Sequence, residues 1–596
     1  MIQKTETCQN CKNKFVIEPE DFSFYEKIQV PPPTWCPDCR SQRRLVWRNE
    51  RILYKRKNDA PNKDELLISN HSSDFPAPIY DQDYWRSDNW DPLSYGQEYD
   101  FNKPFFQQFK ELLQKVPRMN LTNLQSVNSE YCNFTYQAKN CYLNFASDIN
   151  EDTAYVYHTI YCKNSLDLLS CRKTEWCSEG IHSQDSYETS YFWFSKDCID
   201  SRLLYNCHNC QSCVGCVNLR NAKYQIFNQQ YGKDEYLEKV KTLNLGSHND
   251  FQKAFRQFTD LIVRFPHKFA NIIQARNVSG DYITNSKNCY FCFDIEGPVE
   301  DCKYIIYGVP NLRDCYDGYG TGNGMEMAYE VTSAGGNAQR IFFSPMAWTG
   351  DYYFYSHLCE GSSNIFGCVG LRQKRYCILN KQYTKESFDK LRIKIMKHME
   401  EMPYTDKKGK VYKYGEFFPP ELSPFSYNET IAQEYFPLTK EQAIEKGYKW
   451  KDPEPRNYQI TTAHDQLPDH IKDVDDSILN QTVGCQHQGK CNEQCSEAFK
   501  IIPQELQFYR KMNLPLPRLC PNCRHYRRIK QRNPLKLWYR ICQCSGIQSD
   551  NKVYTNTADH IHHSKIEHCP NELETTYAPE RPEIVYCEQC YNAEVV

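Results

Sequence analysis

Apolar and polar positions change rhythm several times along this chain. Residues 248–276 carry Phe251, Phe255, Phe258, Leu261, Ile262 and Phe265 in a polar background, a stripe that predicts an amphipathic helix. A second helix is predicted around Leu391, Ile393, Ile395 and Met396, among lysines, arginines and glutamates. Over 120–247 and 277–402 short units recur instead: Lys139-Asn-Cys141-Tyr, Lys196-Asp-Cys198, Tyr205-Asn-Cys207, Lys287-Asn-Cys289-Tyr and Arg313-Asp-Cys315-Tyr. Cysteines there often stand nine apart, at 132 and 141, 162 and 171, 198, 207 and 216, 359, 368 and 377. Nine residues suit one short strand plus one turn, with Asn or Asp in the turn and Cys at the small inward position. The expected fold is mainly β with short helices: a two-part β-solenoid, or stacked short strands, flanked by zinc modules.

Two internal repeats set the organisation. Shifting the chain by 484 superposes Cys11–Asn49 on Cys495–Asn533 with 17 of 39 positions identical, Phe24-Tyr25/Phe508-Tyr509 and Arg43-Arg44/Arg527-Arg528 among them. Shifting by 152 superposes 215–236 on 367–388 with 11 of 22 identical. The expected division is a zinc finger with a basic helix (1–57), a connector (58–119), the first Cys-rich β half (120–247), a helical segment (248–276) and the second Cys-rich β half with its terminal helix (277–402). A Pro/aromatic-rich connector (403–484), a second finger (485–541) and a zinc-ribbon-like terminal module (542–596) follow.

Cys8-x2-Cys11 … Cys36-x2-Cys39 supplies four thiols from two short knuckles, the second on a helix start with Pro37 in its first turn. That is a treble-clef layout for tetrahedral zinc. Cys491-x3-Cys495 … Cys520-x2-Cys523 repeats it with a first knuckle one residue longer, and Cys485 or His487 could replace a ligand. For a third ion the simplest set is Cys542, Cys544, Cys587 and Cys590; alternatives recruit Cys569 or one of His560, His562, His563 and His568, or hold a second ion. About three closed, structural zinc ions are expected. Cys207, Cys210, Cys213 and Cys216 resemble a cluster motif, but their repeat phase favours core packing.

Charge then bears on function. The net charge is −3, with Lys+Arg 72 against Asp+Glu 75, yet residues 1–57 carry +5 and 485–544 carry +9, leaving −17 elsewhere. Arg40, Arg43, Arg44 and Arg48 in the first finger, with Arg524, Arg527, Arg528 and Arg532 in the second, interleave with Trp47, Tyr526 and Trp538. Such a mixture suits phosphate forks and base stacking, hence RNA or a ribonucleoprotein. The alternative docks these arginines on acidic protein surface, the chain's own included. Gly318-x-Gly320-x-Gly322-x-Gly324 lacks the phase of a nucleotide loop, and no Walker loop, nucleophile elbow or His-Glu-x-x-His is present. An enzyme working through paired carboxylates on the solenoid face is the third and least favoured reading, and no small-molecule cofactor is evident. The first residues lack a secretory pattern, and no apolar run could span a membrane, so a cytoplasmic protein with reduced thiols is expected.

CPDCRSQRR at 36–44, SPFSYNETIAQEYFPLTKE at 423–441 and YAPERPEIVYCEQCYNAEVV at 577–596 resemble an uncharacterised group of cysteine-rich treble-clef zinc-finger proteins of candidate-phyla bacteria. The resemblance implies a zinc-associated cytoplasmic protein, with first-finger ligands at Cys8, Cys11, Cys36 and Cys39, and no particular activity.

Overall fold

The computed structural model describes residues 3–454 and 458–596; Pro455 of the connector lies outside them. The described chain is mainly strands with few, short helices. It divides into two compact units, each assembled from separate stretches. One comprises Met1–Leu121, Ala270–Asp452 and Leu535–Leu537; the other comprises Thr122–Phe269, Pro453–Pro534 and Trp538–Val596.

In the second unit the chain returns beside itself, in parallel, every twelve residues. Asn133 pairs with Phe145, Lys139 with Glu151, Glu175 with Tyr187, Ile199 with Gln211 and Gln211 with Lys223. Within each step the backbone bends every third residue, at positions with φ near +50° such as Asn140, Asp152, Asn164, Trp176 and Glu188. Asn and Asp visit that region cheaply, whereas most other residues resist it. Backbone hydrogen bonds to the steps before and after offset the strain: Asp152 N–H donates to Lys139 O at 3.0 Å, and Glu151 N–H donates to Cys162 O at 3.0 Å.

The residue after each bend points inward. Cys132, Cys141, Cys162, Cys171, Cys177, Cys198, Cys207, Cys210, Cys213 and Cys216 all fall on this phase and are buried. Three residues per segment leave a narrow interior, filled mostly by Cys, Ser, Thr, Asn and Ala with an occasional Leu, Val or Phe. The thiols act as weak donors, Cys132 Sγ to Cys141 O at 3.4 Å and Cys207 Sγ to Cys216 O at 3.4 Å. The nine-residue spacing is therefore not the period. It is three of the four triplets in a twelve-residue step, the reach from a thiol to the carbonyl it meets.

The first unit contains a similar ladder, less regular at first. Steps of thirteen join Leu312 to Met325 and Glu326 to Gln339, and steps of twelve follow from Gln339 to Asp351, Ser363 and Arg375. The glycine series lies here. Gly322, at φ 147°, occupies one of the extra turns, where a Cβ would stand 2.4 Å from Val309 O. Inward Cys289, Cys292, Cys302, Cys315, Cys359, Cys368 and Cys377 line this ladder.

The 152-residue repeat closes both ladders by one device. Asn228 accepts from Val217 N–H at 2.8 Å and donates to Val217 O at 2.9 Å; Asn380 does the same with Val369 at 2.8 and 2.8 Å. A helix follows each, Lys233–Leu243 and Lys385–Glu401. The predicted Phe stripe forms the helix His248–Ile262, which buries Phe251, Ala254, Phe258 and Ile262 beside Tyr191 and Trp193. Among the described residues no helix is long and apolar enough to cross a membrane.

Candidate metal centres and the arginine clasps

Three helices start on a cysteine. Cys36, Cys520 and Cys587 are the N-caps of Pro37–Leu45, Pro521–Lys530 and Glu588–Val595. Each uses its own N–H to donate to an upstream thiol: Cys36 to Cys8 at 3.2 Å, Cys520 to Cys485 at 3.3 Å, Cys587 to Cys542 at 3.2 Å. The helix N-terminus favours a thiolate on the capping cysteine, and each N–H favours one on the upstream sulfur it reaches. Hydrogen bonds from neighbouring thiols, those of Cys36, Cys485 and Cys542 first, hold Cys8, Cys520 and Cys587 far below the ordinary thiol range.

Three groups of four thiols converge with every sulfur within 4.8 Å of the others: Cys8/Cys11/Cys36/Cys39, Cys485/Cys495/Cys520/Cys523 and Cys542/Cys569/Cys587/Cys590. Zinc with sulfurs at about 2.3 Å in a tetrahedron spaces them about 3.8 Å apart. The observed edges fit: 3.7 Å for Cys11–Cys36, 3.9 Å for Cys485–Cys523 and 3.8 Å for Cys569–Cys587. Each group could hold a metal ion such as zinc.

The first quartet is the one expected. In the second, Cys485 stands where Cys491 was expected. The strand Val483–Gly484 pairs with Ala498–Phe499 as Lys4–Thr7 pairs with Lys14–Ile17, so Cys485 leaves its strand as Cys8 does. Cys491 lies in the lengthened knuckle, half-buried, its sulfur 3.7 Å from Cys523. In the third, Cys569 completes the quartet in place of Cys544, which faces His560 at 3.2 Å and His563 at 3.6 Å. His568 turns away to Asp550. Nearest-neighbour spacing in sequence misled here, because both first knuckles contain insertions. Cys207, Cys210, Cys213 and Cys216 occupy consecutive inward positions, and their thiols meet backbone carbonyls at 3.4 to 3.7 Å.

Seven of the eight arginines expected to meet phosphate meet carboxylates of their own unit. From the first finger, Arg40 reaches Asp317 at 2.9 Å, Arg43 reaches Glu330 at 2.6 Å and Glu416 at 2.7 Å, and Arg44 reaches Asp317 at 3.0 Å and Glu330 at 3.4 Å. From the second, Arg524 reaches Glu505 at 2.8 Å and Asp167 at 3.1 Å, Arg527 reaches Glu179 at 2.6 Å, and Arg528 reaches Asp167 at 2.9 Å and Glu179 at 3.3 Å. Five of the six guanidinium side chains are at most 2 % exposed and Arg527 is 35 % exposed. Asp167 and Glu179, like Asp317 and Glu330, sit on backbone bends one ladder step apart.

Burial pushes the Asp167 and Glu330 carboxyls up, while the facing arginines pull the other way. Such a group is expensive to leave unpaired. Arg48 is buried against Glu50 and lies over Tyr319, and Arg532 is half-buried just past its helix. Trp47 and Tyr526 are core residues rather than free stacking platforms.

No protein-family model and no curated protein matches this chain. Among solved structures, one reported under the name of an acetyltransferase from Desulfovibrio desulfuricans G20 is 11% identical, covers 51% of this chain and 77% of that one, and superposes with a TM-score of 0.11. A likeness at that level carries no inference about fold or activity.

Proposed function

We propose that this chain is a zinc-stapled cytoplasmic scaffold, built from two β-solenoids each clamped by a treble-clef finger, whose partners are proteins rather than RNA. The observation that carries this reading is where the residues shared by the two finger copies point. Cys11/Cys495, Cys36/Cys520 and Cys39/Cys523 belong to the thiol quartets. Arg40/Arg524, Arg43/Arg527 and Arg44/Arg528 clasp ladder carboxylates. Phe24 stacks on Tyr316 of its ladder at 3.9 Å, and Phe508 stacks on Trp176 at 6.1 Å. What the duplication retained is a means of gripping a ladder.

The outer faces support protein contact over polyanion binding. Lys139, Glu151, Lys163 and Glu175 alternate in sign along one ladder column, with Glu151 paired to Lys139 at 2.5 Å and to Lys163 at 3.4 Å. Exposed Tyr131, Tyr161, Tyr187 and Ile199 punctuate that surface. Mixed charge with scattered aromatics suits a protein interface, whereas RNA calls for a continuous positive stripe. The kinship with candidate-phyla zinc-finger proteins belongs to the same proposal. The test is a fluorescence titration of the full chain with structured and single-stranded RNA at low salt. No binding is expected; saturable binding that weakens with salt, by a slope of roughly 0.7 per phosphate contact for single strands, restores the RNA reading.

A further inference from the structure

The C-terminal module holds more ligands than one ion can use. Beside the Cys542/Cys569/Cys587/Cys590 quartet lies a second convergent group, Cys544, His560, His563 and Cys590. Cys590 belongs to both. Seven side chains with one shared sulfur fill eight positions, which is two tetrahedra.

The histidines are set up as ligands by what lies behind them. His560 Nε2 is 2.9 Å from Glu594, a buried carboxylate that also accepts from Thr557 N–H at 2.7 Å, Thr557 Oγ1 at 2.8 Å and Ala558 N–H at 3.2 Å. An oxygen so engaged accepts, so His560 Nε2 carries its proton and Nδ1 presents a lone pair. His563 Nδ1 lies 3.0 Å from Ser564 O, a carbonyl that can only accept, so His563 presents its lone pair on Nε2. These two lone pairs face each other at 3.1 Å, with Cys544 Sγ 3.2 and 3.6 Å away and Cys590 Sγ 3.4 Å from His563. Two acceptors aimed at one point call for a cation between them. Tetrahedral zinc places nitrogens about 3.3 Å apart and nitrogen from sulfur about 3.5 Å apart, close to these values. A carboxylate and a carbonyl fixing the far nitrogens are the outer partners that metal-bound imidazoles use. Asn556 Nδ2 donates to Cys544 Sγ at 3.2 Å, as suits a thiolate.

We infer that the C-terminal module binds two zinc ions bridged by the Cys590 thiolate, one held by Cys542, Cys569 and Cys587 and the other by Cys544, His560 Nδ1 and His563 Nε2. His562, with Nε2 3.3 Å from Cys590 and 3.4 Å from Cys569, then serves as a donor to the thiolates rather than a ligand.

The test is metal counting on the full chain, by native mass spectrometry and elemental analysis of protein purified with its zinc. Wild type should carry four zinc ions, His560→Gln/His563→Gln three, His562→Gln four, and Cys590→Ser two. A wild-type count of three that His560→Gln/His563→Gln leaves unchanged would overturn the second ion and make the pair a metal-free imidazolium–thiolate contact. A count of four that falls only to three in Cys590→Ser would overturn the bridge. Cobalt loading of the wild-type chain gives a reading that needs no variant. Two thiolate-bridged cobalt ions couple magnetically, so the paramagnetic resonance signal should correspond to about two isolated ions out of four, and a signal from four isolated ions contradicts the bridge.

Discussion

In one unit, three arginines of a finger helix share Asp317, Glu330 and Glu416; in the other, their counterparts share Asp167, Glu179 and Glu505. Two of the three carboxylates are equivalent, stacked one step apart on the ladder. The third is not: Glu416 comes from the connector, Glu505 from the finger's own first helix. The position matching Glu505 in the first finger is Asp21, which instead takes Lys303 of its ladder at 2.8 Å. The ladders differ too, with thirteen-residue steps beneath the first finger and twelve beneath the second. Three arginines set on a two-carboxylate column thus survive a change of step length and of third partner. That column is the fixed part of the clasp, and the third partner is negotiable.

Metal removal should cause the largest loss of stability. Structural zinc contributes apparent stability on the order of 10 kcal/mol to a module this small. Cys36→Ser/Cys39→Ser should lose one ion and open residues 3–57 to protease. It should also lower the melting temperature of its own unit, because Trp35, Leu45 and Trp47 share a core with Tyr319, Tyr329 and Phe342. Cys520→Ser/Cys523→Ser should do likewise in the second unit. Peptide mapping after limited proteolysis reads each separately, and equal damage to both units from one pair would contradict independent clamping.

Removing the arginines comes next. Arg43→Gln/Arg44→Gln and Arg527→Gln/Arg528→Gln each strand buried carboxylates, at a cost of about 3–5 kcal/mol. Denaturant unfolding should show that loss with zinc content unchanged. The third partners sharpen the contrast: Glu416→Gln should weaken only the first unit and Glu505→Gln only the second, each by about 1–3 kcal/mol, for the charge-assisted bonds lost. Local hydrogen exchange would assign the effect to its unit.

Per side chain, the smallest effect is that of pH. Burial holds His71 and His357 in the first unit, and His182 in the second, well below the usual imidazole range, and lowers His267 to about 4. Above pH 6.5 both folded and unfolded chains leave these rings neutral. Below it the unfolded chain takes up protons that the folded one refuses, so stability falls with pH toward 4, by up to about 1.4 kcal/mol per pH unit for each ring. Unfolding curves at pH 7.5 and 5.5, with bound zinc followed in parallel, check the sign.

The sequence made the knuckles, the duplicated finger, the closing repeat and the Phe-striped helix legible, because each rests on residues near one another in the chain. Thiol spacing and Pro at the first helical turn placed Cys36-x2-Cys39 and Cys520-x2-Cys523 on helix starts. The triplet period was hidden by occupancy: inward positions take Ser, Thr, Asn, Ala, Leu and Cys, so cysteine alone samples it sparsely and nine stands out. Cys485 and Cys569 were obscured by insertions within their knuckles. The arginines misled for a different reason. Their ladder partners lie far off in the chain, 348 residues away for Arg527–Glu179 and 277 for Arg40–Asp317, so a run of charge looked unspent. A signal was present nonetheless: Asp167 and Glu179, like Asp317 and Glu330, stand one ladder step apart at corresponding places in the two halves.

The finger helices act as internal clasps. A double-mutant cycle on Arg528 and Asp167, using Arg528→Gln, Asp167→Asn and the pair, measures this role most directly through unfolding free energy in denaturant. Each single variant should destabilise the second unit and the pair should be less damaging than the sum, with a coupling of about 1–3 kcal/mol. Strictly additive variants, or an Arg528→Gln chain as stable as wild type, would contradict that role.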